Sequence, residues 1–378
     1  MLVAAAAAWW RLRGERIPVV WRVESDGVVA GWAADGESFY VVGPLPQPTG
    51  APARLRRHAR SDGRLLAEVA LPAGVSASRE PNVLELPDGR LAVLEDRLYV
   101  GTFADGLGEP AVVEIEPVAA PNLLFPEPPR LAAGGEALLV PWLVADPTAN
   151  FKALRSGVTR VRLPGLETES WSTPEAGWVA GVSADGESIA VMRRRDEAGE
   201  ARFFGAAVRR DGTVRELDEM FGDVVPWNDE CLVGVGLGFD FDSAEKLRLR
   251  AVPLDGSPPV VLHGGVVSTQ PTATIRRPAG HPGSGWYFFA FVDYEGSGGA
   301  VYFPAAHRYL AHVAGDPLRG GRADRVIHEV RRDVQVRGRN FGDGWTMTSP
   351  HFGPGGRWLL MDHSDGSIEL VDLSPLLP

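Results

Sequence analysis

Four dipeptides place a polar residue directly before proline in similar surroundings: Glu80-Pro81, Glu127-Pro128, Gln270-Pro271 and Ser349-Pro350, the last followed by His351. Proline biases the residue before it toward extended backbone, so each dipeptide suits the start of a strand. If those starts converge, two carboxylates, an amide and an imidazole meet at one mouth. Carboxylates so gathered repel one another, which raises the pKa of one and suits it to general acid work. The acid–base candidates are Glu80, Glu127, Asp223 and His351. Indole faces beside such groups suit a sugar or another polar ring, by stacking plus hydrogen bonding. The expected ligand-binding set is therefore Arg79, Glu80, Glu127, Trp142, Trp178, Gln270, Trp345 and His351.

Other chemistry is sparse. There is no G-x-S-x-G elbow, H-E-x-x-H or P-loop. His307 and His312 stand five apart with no third ligand in sequence reach, so no metal and no cofactor are expected. Asp362, His363 and Asp365 in "MDHSDG" read as a solvated turn between strands. Asp240 and Asp242 in "FDFDSAEK" lack the glycine and distal glutamate of a calcium loop. Cys231, the one cysteine, sits in the apolar run "ECLVGVGLG" and reads as buried filler.

The net charge of −11 argues against a nucleic-acid partner, since phosphate binding needs a basic surface. The basic runs "RLRRHAR" and "RRDVQVRGR" read as solvated strand faces. The start, "MLVAAAAAWWRLRGER", has too few apolar residues to span a bilayer and no basic residue ahead of them. It suits the remnant of a signal or anchor, or else an N-terminal extension over 1–16. The first implies a periplasmic or membrane-tethered protein, the second a cytoplasmic one. Apart from such an anchor no membrane contact is expected, and the chain is expected to be a monomer.

The elements that must position these residues come as a repeat. Similar runs turn at Asp35, Asp88, Gly134, Asp185, Asn228, near Gly280 and at Gly355. In each, a Gly- or Asn/Asp-containing turn is followed by an apolar run such as Phe39-Tyr40-Val41-Val42 or Trp358-Leu359-Leu360-Met361. Between copies lie pairs of strands joined by Asp-Gly, as in "RLRRHARSDGRLLAEVALP". Four strands per unit and a period of roughly 45 to 50 residues indicate propeller blades. The expected fold is all-β: a seven-bladed β-propeller of four-stranded antiparallel blades over residues 17–378, with an insertion at about 303–345. The seventh copy has only three strands of its own. Ile17 to Glu24 is the expected outer strand beside Ile368 to Leu373, which closes the ring and covers a sheet edge. Second-to-third-strand loops share a side with the strand starts, and "GPLPQPTGAPA", "ADPTANFKALRSG", "RRRDEAGEA" and "GFDFDSAEK" are the long ones.

The blade pattern "SPHFGPGGRWLLMDHSDGSIELVDLS", with "GVSADGESIAVMRR" and "GWAADGESFYVVG", resembles the TolB-like, WD-like repeat over most of Asp26 to Pro378. That resemblance implies the fold and spans proteins of several functions. Among its enzymes the oligogalacturonate lyases are similar in length and carry a metal held by His and Gln at the channel mouth. Gln270 and His351 match in position, but "GWTMTSPHF" lacks the clustered Gln/His motif, which counts against metal-dependent β-elimination. The expected function is a non-catalytic propeller binding a protein or carbohydrate-like ligand at the long-loop face. The alternative is a polysaccharide lyase or related glycan-processing enzyme.

Overall fold

The structure is a computed structural model. It describes residues 16–44, 53–71, 82–94, 97–104, 107, 110–115, 123–124, 129–132, 134–146, 152–174, 177–197, 200–217, 223–235, 248–264, 272–274, 279–293, 295–297, 300–334, 348–363 and 366–377. The described secondary structure is β-strand with three short 3-10 turns. The strands form seven antiparallel sheets.

Blade 1 runs Val28–Trp32, Ser38–Gly43, Arg54–Ala59, Leu65–Ala70, in simple up-and-down order. Blade 2 begins at Asn82–Glu85, blade 4 at Trp178–Val182 and blade 5 at Asp223–Pro226, with the same order. The second strand of a blade is buried on both faces. Every residue of Ser38–Gly43, Leu91–Leu94 and Cys231–Val235 is buried, which is why each reads as an unbroken apolar run. Outer strands such as Leu65–Ala70 have no buried residue and carry mixed sequence.

The turns follow one chemistry. In blade 1 the Ala33 N–H donates to the Ser38 carbonyl, Gly36 N–H donates to Ala33, and Glu37 N–H donates to the Asp35 carboxylate. In blade 4 Ser183, Gly186, Glu187 and Asp185 repeat these bonds. Gly36 and Gly186 adopt φ of 65° and 75°, the left-handed region that favours glycine.

Register irregularities recur three blades apart. Blades 1 and 4 each slip by one residue on the inner strand, between Val29 and Gly31 and between Val179 and Gly181. Both slips carry the triplet Val-Ala-Gly. A Cβ at Gly31 would run into the Val83 carbonyl of blade 2, and one at Gly181 would come within 2.7 Å of Pro226 in blade 5. The glycines let the next sheet approach. Blades 3 and 6 instead have inner strands in two pieces. Leu123–Leu124 and Arg130–Leu131 both pair with Ala137–Asp146, and Thr272–Thr274 and Ala279–His281 both pair with Trp286–Asp293.

The chain divides into two compact units, one of residues 26–238 and 250–260, the other of 1–25, 239–249 and 261–378. The second unit holds blades 6 and 7 around a core of Ile17, Trp286, Phe288, Leu310, Leu359, Met361 and Val371. Blade 7 comprises Thr348–Phe352, Trp358–His363 and Ser367–Asp372, and Val19–Glu24 completes it as the fourth strand. The register runs from Val19↔Val371 through Val23↔Ile368 to Glu24↔Ser367. Closure of this blade by the N-terminal strand is as expected.

Two expectations need correction. Gly280 lies within a strand, and the reversal in blade 6 is the 3-10 turn Pro282–Ser284. The stretch 303–345 is largely not an insertion. Ala300–Ala314 and Arg322–Val334 are the blade's own third and outer strands, lengthened to 15 and 13 residues. Residues 1–15 lie outside the described residues. Among the described residues no helix is long and apolar enough to cross a membrane.

Candidate functional site

Inner strands begin on the side where second and third strands connect, and that side is the candidate site. Blades 3 and 4, adjacent within the first unit, are built up there. In blade 4, Ser188–Glu197 and Glu200–Arg209 pair without a break from Ser188↔Arg209 to Glu197↔Glu200. The inner strand engages only as far as Met192, and the outer strand only from Gly205. The pairing of Arg193–Glu197 with Glu200–Phe204 therefore continues past the described inner- and outer-strand pairing as a two-stranded arm, about 17 Å long at roughly 3.4 Å per residue, with Arg193 at its base buried against Glu216. In blade 3 the pairing of Ala137–Asp146 with Lys152–Arg162 likewise continues past the outer strand, which reaches only to Gly157. Leu154, on that extension, is 52% exposed. Two of the expected loops, "ADPTANFKALRSG" and "RRRDEAGEA", are thus mostly paired strand.

Of the sequence-derived site residues, Trp178 and Asp223 open adjacent inner strands, opposite Met192 and Val235, at the foot of this side. Trp178 is half-buried. Trp142 does not end its strand. It stands within Ala137–Asp146, 1% exposed, packed among Leu86, Leu94, Leu98 and Val140. Its indole is core filling with no face left for a sugar, and Arg155 covers the ring at 5.8 Å. His351, in the second unit, is half-buried and fourth in its strand, opposite Leu360. Arg79, Glu80, Glu127, Gln270 and Trp345 lie outside the described residues, as do Asp240, Asp242 and Asp365.

The reading of "MDHSDG" as a solvated turn is corrected for Asp362 and His363; Asp365 lies outside the described residues. Asp362 and His363 end the second strand of blade 7 and are 6% and 4% exposed. His363 belongs to a buried charge cluster inside the second unit. Arg308, 2% exposed on the third strand of blade 6, places Nη1 3.1 Å from Glu369 Oε2 and 3.9 Å from Glu329 Oε2. His363 Nε2 lies 3.1 Å from the same Glu369 oxygen, and Arg22 Nη1 reaches Oε1 at 3.3 Å. The Ile17 N–H donates to Glu329 Oε1 at 3.0 Å. Burial pushes the Glu369 carboxyl up, but His363, Arg308 and Arg22 together outweigh it and hold the pKa at about 2. Burial dominates at Glu329, whose pKa is raised despite the Ile17 N–H and Arg308. Glu329 and Glu369 thus hold the N-terminal segment at Ile17 and at Arg22, and Arg308 bridges the two carboxylates. Glu369 is ionised and charge-paired, which suits it to anchoring a strand and not to giving up a proton.

The histidines of blade 6 separate. His307 and His312 are an odd number of residues apart on one strand, so they face opposite sides of the sheet. His312 Nδ1 is 2.7 Å from Asp324 and its ring packs against Trp286. His307 stacks on Phe291, the centroids 4.3 Å apart and the planes within 6°. Its Nδ1 lies 2.9 Å from His328 Nε2. Cys231 is buried. The run Arg54–Ala59 is an ion-paired strand: Arg56 meets Asp26 and Glu68, and Arg57 meets Asp35.

Strand order, register and the N-terminal completion of blade 7 define the class: the chain is an all-β, seven-bladed β-propeller. No protein-family profile matches it, and no curated protein does. Among solved structures it is similar to a luciferin-regenerating enzyme, at 13% identity over 73% of this chain and 88% of that one, with a TM-score of 0.42. It is also similar to a protein described as a TolB of Agrobacterium tumefaciens, at 14% identity over 71% of this chain and 93% of that one, with a TM-score of 0.38. The fold assignment rests on the sheets and not on these two likenesses.

Proposed function

We propose that this protein is a non-catalytic propeller that binds a protein partner through the side bearing the second-to-third-strand connections. The observation that carries this reading is the blade 4 arm. Its two strands pair with each other past the described ends of the inner strand, Trp178–Val182, and the outer strand, Val214–Leu217. A strand pair that outruns its neighbours offers a place for an extended segment of another chain to add, with backbone hydrogen bonds supplying affinity. The neighbouring extension of blade 3, with Leu154 exposed, adds apolar surface on the same side. Trp178, half-buried at the foot of the arm, supplies an aromatic contact.

The test is to shorten the arm symmetrically, removing 194–203 and closing with Asn-Gly, a favoured two-residue hairpin turn. Wild type and variant are then compared by affinity capture from the source cells, a glycan array and absorbance of unsaturated uronate products on polygalacturonate. A purified partner that binds wild type and not the shortened protein, at unchanged melting temperature, supports the reading. Partner binding that survives the deletion defeats it. Turnover of polygalacturonate, or glycan binding indifferent to the arm, restores the carbohydrate alternatives.

A further inference from the structure

We propose that His281 is an acid-sensitive latch between blades 6 and 7: a proton taken up at its Nδ1 releases the turn Pro282–Ser284 from the turn Pro354–Gly356 and loosens the seam between the two blades. His281 ends the second piece of the blade 6 inner strand and caps the 3-10 turn that follows. Its Nδ1 accepts the Ser284 N–H at 3.1 Å. A backbone N–H can only donate, so Nδ1 carries a lone pair and the ring proton sits on Nε2. The bond is the one an N-cap side chain makes to the third residue of a helix, made here by a residue that titrates near neutrality. An imidazolium cannot make it, because both of its nitrogens donate.

The bond lies in the seam itself. A Cβ on Gly356 would collide with Ser284 Oγ and come within 2.5 Å of His281 Nδ1. The His281 ring also stands 6.3 Å from Phe352, whose strand leads into the blade 7 turn. Protonation therefore sets two N–H groups against each other beside a backbone that already lacks room for a methyl group. Burial holds the His281 pKa below its ordinary 6.5, against a smaller opposing hydrogen bond to its own backbone. The neutral, capping form is thus favoured in the folded seam. Its contribution is whole above pH 6.5 and is lost as pH falls through the folded value. Among the described residues the charged groups on the surrounding elements pair elsewhere. His281, Trp286, His312 and Arg325 stand in one row of the ladder, so His312 is two strands away, about 10 Å, with Trp286 between. His312 meets Asp324, Arg319 meets Asp316, and on blade 7 Arg357 meets Asp372. His351, next to Phe352 on an extended strand, points to the other face.

The experiment is hydrogen–deuterium exchange on the full-length protein at pH 7.5 and pH 5.0, with rates corrected for their intrinsic pH dependence. Wild type is compared with His281→Asn, which keeps an acceptor at the cap and does not titrate in this range, and with His312→Asn. With an open-state value of 6.5, local opening at pH 5.0 can rise by at most about thirtyfold. Wild type should lose protection by several-fold up to that limit over 282–287 and 353–358, while Ser38–Gly43 of blade 1 keeps its own. His281→Asn should show no such loss, and His312→Asn should lose protection as wild type does. Carbon-13 NMR of the wild-type ring gives a second reading that needs no variant: His281 should carry its proton on Nε2 at pH 7.5 and titrate below 6.5. Protection that does not change with pH, an equal loss in His281→Asn, a loss abolished in His312→Asn, an equal loss throughout the molecule, or a His281 proton on Nδ1 at pH 7.5 would each overturn the proposal.

Discussion

Replacing Glu369 with Gln keeps the side-chain volume and removes one charge from the cluster around Arg308. The folded-state pKa is held at about 2, against the ordinary glutamate value of 4.5. The carboxylate is thus favoured in the native state, and its contribution is complete above pH 4.5 and lost as pH falls toward 2. The full difference of about 2.5 units corresponds to about 3.4 kcal/mol at pH 7. Arg22 is 47% exposed on its side chain, so solvent screens its share, and about 2–3 kcal/mol is the working figure. That is near the cost of breaking a buried pair, about 3–5 kcal/mol, because Arg308 would lose its carboxylate at 3.1 Å and keep Glu329 at 3.9 Å. At pH 3 most of the stabilisation is already gone in wild type, and the penalty should shrink to about 1 kcal/mol. Urea unfolding followed by tryptophan fluorescence at pH 7 and pH 3 measures both numbers. The double variant Arg308→Met, Glu369→Gln should lose less than the sum of its singles, since the buried Arg308 cation is removed together with its carboxylate partner. A penalty below about 0.5 kcal/mol at pH 7, or one that does not change with pH, would refute the assignment of Glu369 as the charged anchor of the strand.

Three further outcomes are expected. A chain beginning at Asp26 loses the buried Ile17 and the half-buried Trp21 and Val23 and should be destabilised by about 3–5 kcal/mol. Size-exclusion chromatography should show it self-associating through the bared Ser367–Asp372 edge. Gly157→Ala would press a methyl group into the Trp171 carbonyl and against the Trp142 ring, and calorimetry should report a loss of about 1–3 kcal/mol. Cys231 is 0% exposed, so its thiol should be silent toward Ellman's reagent in the native protein and give one equivalent after denaturation.

The parts legible in the sequence were those whose causes are local. Asp35-Gly36 and Asp185-Gly186 announce their turns because the bonds that close them span five residues. The register Val23↔Ile368 was also legible, because blade 7 has three strands of its own and the only free apolar run lies at the N-terminus. What stayed hidden depends on a neighbouring sheet. "MDHSDG" has the composition of a solvated turn, and nothing near it signals that Arg308, 55 residues away from His363, is buried against it. Trp142 looks like a ligand platform until Leu86 and Leu98 from the preceding blade pack on it. The pairing of His307 with His328 was missed because only His312 lay within the same short stretch. The arm in "RRRDEAGEA" was read as loop because its charges suggest solvent, whereas the backbone pairs there as strand.

The completion of blade 7 by Val19–Glu24 has a consequence for synthesis on the ribosome. Arg22 and its partner Glu369 are 347 positions apart. At roughly 5–20 residues per second, the first strand emerges roughly 20–70 s before its neighbour exists. Blades 1 to 6 contain no such debt, since each pairs strands made within a short interval of one another. For that period the nascent chain carries a half-apolar strand with its hydrogen-bonding groups unmatched, beside six sheets free to assemble. A stalled or prematurely terminated product would keep that strand permanently, and it is the segment that quality-control factors would meet first.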